Sequence, residues 1–337
     1  MTQIAVIGAG AWGTTLADLL ARKGAGVRLW AREPEVVASI NREHVNHLFL
    51  PGAALAPEVR ATGDVTEAVR AAEVVVSAAP SHAVSAVMSA AAMALRERPL
   101  VVSVSKGLEP ERLSTLSCVL VEILPRGTEI AVLSGPSFAE EVYARQPTAV
   151  VAAAREHDVA QRVQQIFATT FFRVYSHTDV VGVELAGALK NVFAIAAGMS
   201  TGLGTGDNTR ALVICRSIAE MTRLGVVMGG DQLTFAGLGG VGDLLATCIS
   251  PLSRNRRVGE ELATGRSLAD ITKDMNMVAE GVKTCGVVQE LADEHEVDMP
   301  IVREVDGVIN AGHTPEQAYA GLLRRVPKME FEGVPAA

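Results

Sequence analysis

Residues 4–22 read IAVIGAGAWGTTLADLLAR, and this stretch decides the fold. Ile4 to Ile7 is a short apolar run, rich in β-branched residues, that stops at Gly8. A helical pattern runs from Thr14 to Arg22. Between them, Gly8-Ala9-Gly10-Ala11-Trp12-Gly13 spells G-x-G-x-x-G. Strand, glycine turn, helix is the setting in which that motif binds a dinucleotide. Gly8 permits the tight turn, Gly10 lets a pyrophosphate approach the backbone, and Gly13 lets the helix pack close to its strand. The helix N-terminus then offers free N–H groups and a positive dipole to the phosphates.

Moving outward, a second strand, Val27 to Trp30, ends at Ala31-Arg32-Glu33. NAD-selective sheets place an acid about 20 residues past the glycines to hold the ribose diol. Here Arg32 arrives first, suited to a 2′-phosphate and to stacking on adenine, while Glu33 opposes that phosphate. NADPH is the favoured reading and NADH is admitted; a surface Arg–Glu pair opening a helix competes with both. Further strands are expected at Glu73–Ala78, Leu100–Val104, Ile130–Leu133, 148–153 and 171–175. Pro80 closes the first of these, and Ser81 is expected to cap a helix reaching about Leu95. Lys106 lies just past the end of the Leu100 strand, where parallel sheets bind ligands. Ser134-Gly135-Pro136-Ser137-Phe138-Ala139 brings exposed N–H groups and a hydroxyl to the same edge. His44 and His47 lack a third ligand and make a poor metal centre, so no metal is expected.

Beyond Ser176 the strand pattern ceases. A chain of 337 residues exceeds one hydrophobic core, so two domains are expected, 1–179 and 180–337. The second opens with VVGVELAGALKNVFAIAAGM, residues 180–199, a proline-free apolar helix interrupted by one cation, Lys190. Lys190 shares its face with Val183, Ala186, Gly187, Ala194 and Ala197, mostly small residues that leave room for something bulky. Either its ammonium snorkels to water or it faces a ligand as a proton-transfer group. Gly202 to Asn208 reads as a loop. Gly237-Leu238-Gly239-Gly240-Val241-Gly242 precedes a helix from Leu244 to Ile249, which Asp243 caps unless it orients Lys190, and Thr247 lies one turn further on that face. Ser253-Arg254-Asn255-Arg256-Arg257 is the densest cationic string, read as a phosphate site rather than a solvated helix end. Val278-Ala279-Glu280-Gly281-Val282 sets one acid in an apolar turn.

Thirty basic against 38 acidic residues give a net charge of −8, which argues against nucleic acid or an anionic membrane as partner. An anionic ligand must therefore meet a local cationic cluster. Cys118, Cys215, Cys248 and Cys285 are scattered and are expected to be reduced thiols. No signal peptide and no membrane span are read from the sequence, so a cytoplasmic protein is expected.

Taken together, SKGLE from Ser105, SGPSFAEE from Ser134, ELAGALKNVFAIAAGM from Glu184, GLGGVGDLLATC from Gly237 and SRNRR from Ser253 resemble the bacterial NAD(P)-dependent glycerol-3-phosphate dehydrogenases, over nearly the whole chain. The resemblance implies a Rossmann domain followed by an all-helical domain similar to that of 6-phosphogluconate dehydrogenase, and a homodimer. It implies reversible reduction of dihydroxyacetone phosphate to sn-glycerol 3-phosphate, feeding glycerophospholipid synthesis. Lys190 matches the proton-transfer lysine. Lys106, Gly135, Ser137, Asp243, Thr247, Ser253, Arg254 and Asn255 match substrate positions. Gly8, Gly10, Ala11, Trp12, Gly13, Arg32, Phe49, Lys106, Ala139, Arg254, Val278 and Glu280 match cofactor positions. Ala11 departs from a serine common in the family, as do Cys215 and Ser217 from residues common after Asn208. A lysine of ordinary pKa, about 10.4, suits reduction at neutral pH, whereas oxidation needs that pKa depressed or the pH raised. A 3-hydroxy-acid dehydrogenase of like architecture, or a non-catalytic dinucleotide sensor, would keep the front glycines. The former has no need of the SRNRR string, and the latter none of Lys106, Lys190 and Asp243.

Overall fold

The computed structural model describes residues 2–275, 277–326, 329 and 333. The chain divides into two compact units, one of Met1–Ser105 with Leu116–Val180, the other of Lys106–Thr115 with Val181–Ala337. The short excursion Lys106–Thr115 therefore belongs with the second unit, which the division at residue 179 does not anticipate.

The first unit alternates strand and helix. In order it holds β1 (Gln3–Ile7), α1 (Ala11–Arg22), β2 (Gly26–Trp30), α2 (Pro34–Glu43), a hairpin of β3 (Val45–Asn46) and β4 (Leu50–Ala54), then β5 (Val59–Thr62) and α3 (Val65–Val69). There follow β6 (Val74–Ser77), α4 (Ser81–Ala92) and β7 (Leu100–Ser103). After a small hairpin in the other unit, β8 (Leu108–Glu109) with β9 (Ser114–Thr115), come α5 (Leu116–Ile123), β10 (Glu129–Ser134), α6 (Ala139–Tyr143), β11 (Thr148–Ala154), α7 (His157–Phe167) and β12 (Phe172–His177). Eight strands form one sheet in the order β12-β11-β10-β7-β6-β1-β2-β5. All neighbours run parallel except β10 and β11. Valine-rich strands such as Val74–Val76 bury both faces, as a helix-covered parallel sheet requires. Leu16, Leu20, Phe167 and Phe172 cover one face; Val84, Met88, Leu116 and Leu120 cover the other. The winding reverses between β1 and β6, and a sheet of this type receives its ligand at the carboxyl ends of those strands. One expectation fails locally: Ser81 does not cap α4, because Pro80 holds the cap position and Ser81 is already helical.

The second unit is helical apart from the β8–β9 hairpin. It contains α8 (Val180–Gly202), α9 (Asp207–Val227), α10 (Gln232–Ala236), a π-helical turn at Leu238–Gly242, α11 (Asp243–Ile249), α12 (Arg254–Ala263), α13 (Leu268–Lys273), α14 (Glu280–Glu294), α15 (Pro300–Asn310) and α16 (Pro315–Leu323). By length and composition alone α8, with 23 residues, is long and apolar enough to cross a membrane, although Glu184 and Lys190 interrupt it. Its burial from Gly182 to Ser200 explains the composition: packing partners, not lipid, surround it. Glycines let those partners approach. A Cβ on Gly198 would fall 2.0 Å from the Arg256 carbonyl oxygen, and one on Gly259 would fall 2.1 Å from that of Ile195. Thus α8 and α12 cross backbone to backbone, which seats the start of α12 beside the middle of α8.

Glu220, on α9, is buried and caps α15 from outside. Its carboxylate accepts the Ile301 N–H at 2.9 Å and the Val302 N–H at 3.3 Å. Burial pushes its carboxyl up to about 7, against the pull of these donors and of Arg223. Glu220→Ala strands two buried helix donors and is expected to cost roughly 2–4 kcal/mol. Thermal unfolding followed by circular dichroism measures this; an unchanged midpoint would remove the capping role.

Candidate active site

In the first unit the glycine turn has the shape its sequence demands. Gly8 adopts φ +121°, and a Cβ there would lie 2.7 Å from the Ala78 carbonyl carbon. A Cβ on Gly13 would meet the Gly8 oxygen at 1.9 Å, whereas one on Gly10 would meet nothing within 4 Å. Two glycines are thus required by packing, and the third leaves open space beside the helix start. No side chain caps α1, so its first N–H groups await an acceptor. The Trp12 indole Nε1 is buried and unpartnered. These features fit a dinucleotide pyrophosphate. Ala11, buried, adds no hydroxyl to the turn.

Asn46, which the sequence reading passed over, ties the β3–β4 hairpin to this turn. Its amide donates to the Ala9 carbonyl and the Thr14 hydroxyl, both at 2.8 Å, and accepts from the Phe49 N–H at 3.0 Å. Phe49 is thereby held near the glycines. At the carboxyl end of β10, Gly135 takes φ +138° and the Ser137 hydroxyl donates to its carbonyl at 2.9 Å. Ala139 accepts from the Thr15 hydroxyl at 3.3 Å, which joins α6 to α1. His44 closes α2 in a left-handed conformation, and His47 pairs with Glu43 at 2.9 Å.

In the second unit Lys190 is 6% exposed, so the snorkelling alternative fails. Its ammonium donates to Asp243 Oδ1 and, at 2.8 Å, to the Thr247 hydroxyl. Lys106 donates to the other carboxylate oxygen, Asp243 Oδ2, at 2.6 Å. Asp243 is the first residue of α11 and caps nothing; Gly242 precedes it as N-cap. Its carboxylate instead holds two lysines. Thr247, one turn on, donates to the Asp243 carbonyl at 2.6 Å, leaving its lone pairs for Lys190.

Two cations share one anion, so the cluster carries a surplus positive charge in a buried place. The Lys190 pKa is lowered from 10.5 to about 8, chiefly by burial; Asp243 opposes the fall and Lys106 adds to it. For Asp243 burial alone pushes upward, but the two ammoniums outweigh it and hold the carboxyl below its usual range. Lys190 is therefore poised between donor and acceptor near physiological pH, as proton-transfer groups are.

Asn191, also unanticipated, braces this arrangement. Its amide donates to the Lys106 carbonyl at 3.3 Å, and its oxygen accepts from Asn255 at 2.9 Å. Asn255 in turn accepts the Gly281 N–H at 2.9 Å. A buried amide beside the one lysine of an apolar helix was the available clue. Ser253 caps α12 by accepting the Arg256 N–H at 3.2 Å, and Arg254 donates to the Val278 carbonyl at 2.7 Å. Arg256 and Arg257 are committed to Glu260 and Glu261, each at 2.6 Å. The cationic string thus narrows to Ser253, Arg254 and Asn255 at a helix N-terminus. Glu280 begins α14, just beyond Val278.

Comparison with known proteins bears on both halves. Residues 3–160 match the family model for the N-terminus of NAD-dependent glycerol-3-phosphate dehydrogenase, and residues 179–320 match that for its C-terminus. Glycerol-3-phosphate dehydrogenase [NAD(P)+] of Citrifermentans bemidjiense is 51% identical over 334 residues, covering 98% of this chain and 99% of that one. A counterpart from Mycobacterium tuberculosis is 48% identical, covering 98% and 97%. The crystal structure of glycerol-3-phosphate dehydrogenase from Coxiella burnetii superposes with a TM-score of 0.92 at 37% identity, covering 96% of this chain and 99% of that one. The chain belongs to the NAD-dependent glycerol-3-phosphate dehydrogenase family.

Proposed function

We propose that this chain reduces dihydroxyacetone phosphate reversibly to sn-glycerol 3-phosphate with NAD(P)H, using Lys190 as the proton donor and acceptor, and so supplies glycerophospholipid synthesis. The observation that carries the reading is the buried Lys190–Asp243–Lys106 cluster with its surplus positive charge. The bound coenzyme supplies the hydride. As negative charge grows on the substrate's C2 oxygen, the Lys190 ammonium stabilises it and delivers a proton to it. Asp243 and Thr247 aim that ammonium, and Lys106 adds a second positive charge. Ser253, Arg254 and Asn255, at the N-terminus of α12, take the substrate phosphate, where the helix dipole adds to the guanidinium charge. Gly135 and Ser137 complete the substrate contacts. The turn from Gly8 to Gly13, with Ala11 and Trp12, holds the pyrophosphate. Arg32, Phe49, Lys106, Ala139, Arg254, Val278 and Glu280 make the other coenzyme contacts, and NADPH is preferred through Arg32.

A spectrophotometric assay tests the whole reading: reduced coenzyme should be consumed with dihydroxyacetone phosphate and spared with dihydroxyacetone. Turnover of both ketones would dismiss the phosphate role of Ser253–Asn255. We further propose a homodimer, supported by the exposed Leu212, Leu233, Leu245 and Ile249 of the helical unit. The proposed setting is the cytoplasm, which would keep the exposed, free Cys118 and Cys215 as thiols.

The lowered Lys190 pKa sets the pH dependence. Below about 8 the group is protonated and serves reduction; above it, the free amine accepts the alcohol proton. kcat/KM for reduction is therefore expected to be level near pH 7 and to fall above pH 8, while that for oxidation rises over the same interval. Both breaks should coincide near 8, where burial chiefly places this lysine, and not near the value of a free lysine. Profiles that break only above pH 10 would contradict the assignment.

A further inference from the structure

At the carboxyl-terminal end of α1, the opposite end from the glycine turn, the first unit contains a cavity of about 380 Å³. Leu19, Val142 and Phe171 give it an apolar lining, and three cations line it as well: Arg22, Lys23 and Arg145. The fold employs two of the three. Arg22 donates to Asp18 Oδ2 at 2.7 Å and to the Ala54 carbonyl at 3.0 Å. Lys23 donates to the carbonyls of Gln165 at 2.9 Å and Ala168 at 2.6 Å, at the end of α7. An ammonium carries three protons, so one donor remains, and carbonyl dipoles rather than a carboxylate meet its charge. Burial lowers the Lys23 pKa accordingly. Arg145 is exposed, and its guanidinium has neither hydrogen bond nor ion pair among the described residues.

The backbone of Arg145 is unfavourable besides. It follows α6 at φ +60°, with its N–H on the Val142 carbonyl at 3.0 Å and the Gln146 N–H on that of Glu141 at 3.0 Å. Glycine is the favoured occupant of this helix ending, because a Cβ is strained there. Arg22 and Asp18 cancel in charge, and no other acid lines the cavity, so Lys23 and Arg145 leave it with two unbalanced positive charges. In a chain of net charge −8, that surplus is a local one.

We propose that this cavity is a second ligand site, for a phosphate monoester with a compact apolar body: Lys23 and Arg145 hold its dianion, and Leu19, Val142 and Phe171 pack against its carbon skeleton. Two unbalanced cations match the double charge of a monoester better than the single charge of a carboxylate. The volume falls in the range of small-molecule sites, about 300–1,000 Å³. The Thr169 hydroxyl, also in the lining, accepts the Phe171 and Phe172 N–H groups at 3.3 and 2.9 Å and keeps its own proton for a phosphate oxygen.

Isothermal titration calorimetry of the full chain with phenyl phosphate tests this. Oxidised coenzyme and dihydroxyacetone phosphate are kept present, a pair that cannot react, so that the proposed active site is filled. One equivalent should bind, about tenfold or more tighter than inorganic phosphate or benzoate. Arg145→Gly should weaken it about three- to tenfold while the denaturation midpoint stays equal or rises, because one substitution removes both a charge and a strained Cβ. Lys23→Gln should weaken it by a similar factor, and both variants should reduce dihydroxyacetone phosphate at the unaltered rate. Loss of affinity in a fully folded Arg145→Gly chain supports the assignment. Equal affinity in that variant, equal affinity for inorganic phosphate or benzoate, or no binding of phenyl phosphate overturns it.

Discussion

Replacing Lys190 with alanine should lower turnover of dihydroxyacetone phosphate by roughly 10²–10⁴-fold, while NADPH affinity stays nearly intact. The size follows from losing both the proton and the charge at the oxygen where negative charge develops. Collapse of the fold is not the expected cause, and the charge arithmetic says why. The cluster holds Lys106, Lys190 and Asp243, two cations and one anion. Removing Lys190 leaves Asp243 paired with Lys106 at 2.6 Å, a neutral pair with no orphaned charge. Lys190 itself bears a pKa lowered to about 8, chiefly by burial, so its charged form is costly in this place and its loss relieves that cost. Unfolding curves of the variant should therefore match or exceed those of the unaltered chain. Half of the proposed coenzyme contacts lie on the turn from Gly8 to Gly13 and at Arg32, which the substitution does not touch. Turnover within tenfold of the original would end the proton-transfer role, and a folding defect as large as the kinetic one would make the role structural.

How much of this was readable beforehand depends on the distance over which each feature is encoded. The glycine turn is local: Gly8, Gly10 and Gly13 serve neighbours within a few residues or on the adjoining strand, so their spacing carries the meaning. Lys190 was conspicuous as a lone cation in an apolar helix, but its state was not. Asp243 lies 53 residues away and Lys106 lies 137 residues from that acid, so a cap and a counterion were equally legible at Asp243. The depressed pKa comes from that tertiary burial, which no periodicity reveals. Lys106–Thr115 joins the helical unit through packing and carries no compositional break at either end. The arginines of SRNRR are a different failure. Arg256–Glu260 and Arg257–Glu261 are i,i+4 pairs written openly in RRVGEE, and they were overlooked in favour of the summed charge. Asn46 and Asn191 were missed because a buried amide declares its partners only once the backbone is folded.

Asp243→Asn poses the converse case and should slow reduction at pH 7 by roughly 10–10³-fold, through a different route. The carboxylate is the one attraction that opposes burial and Lys106 at Lys190. Without it two ammoniums share a buried site with no counterion, and the cheapest remedy is for one to lose its proton. Lys190 then titrates below about 8, and at neutral pH much of it lacks the proton that reduction requires. The sign for stability follows from the same shift. A lysine depressed in the folded state binds fewer protons there than in the unfolded chain, so the variant gains stability as pH rises. Its deficit against the unaltered protein should be greatest in acid, up to about 3–5 kcal/mol, and should shrink toward pH 9. Two measurements thus bear on one residue: the break in the reduction profile should move acidward, and the denaturation midpoint should climb with pH more steeply than in the unaltered chain. A variant that is slow yet still breaks at the original pH would show that Asp243 orients Lys190 without setting its charge.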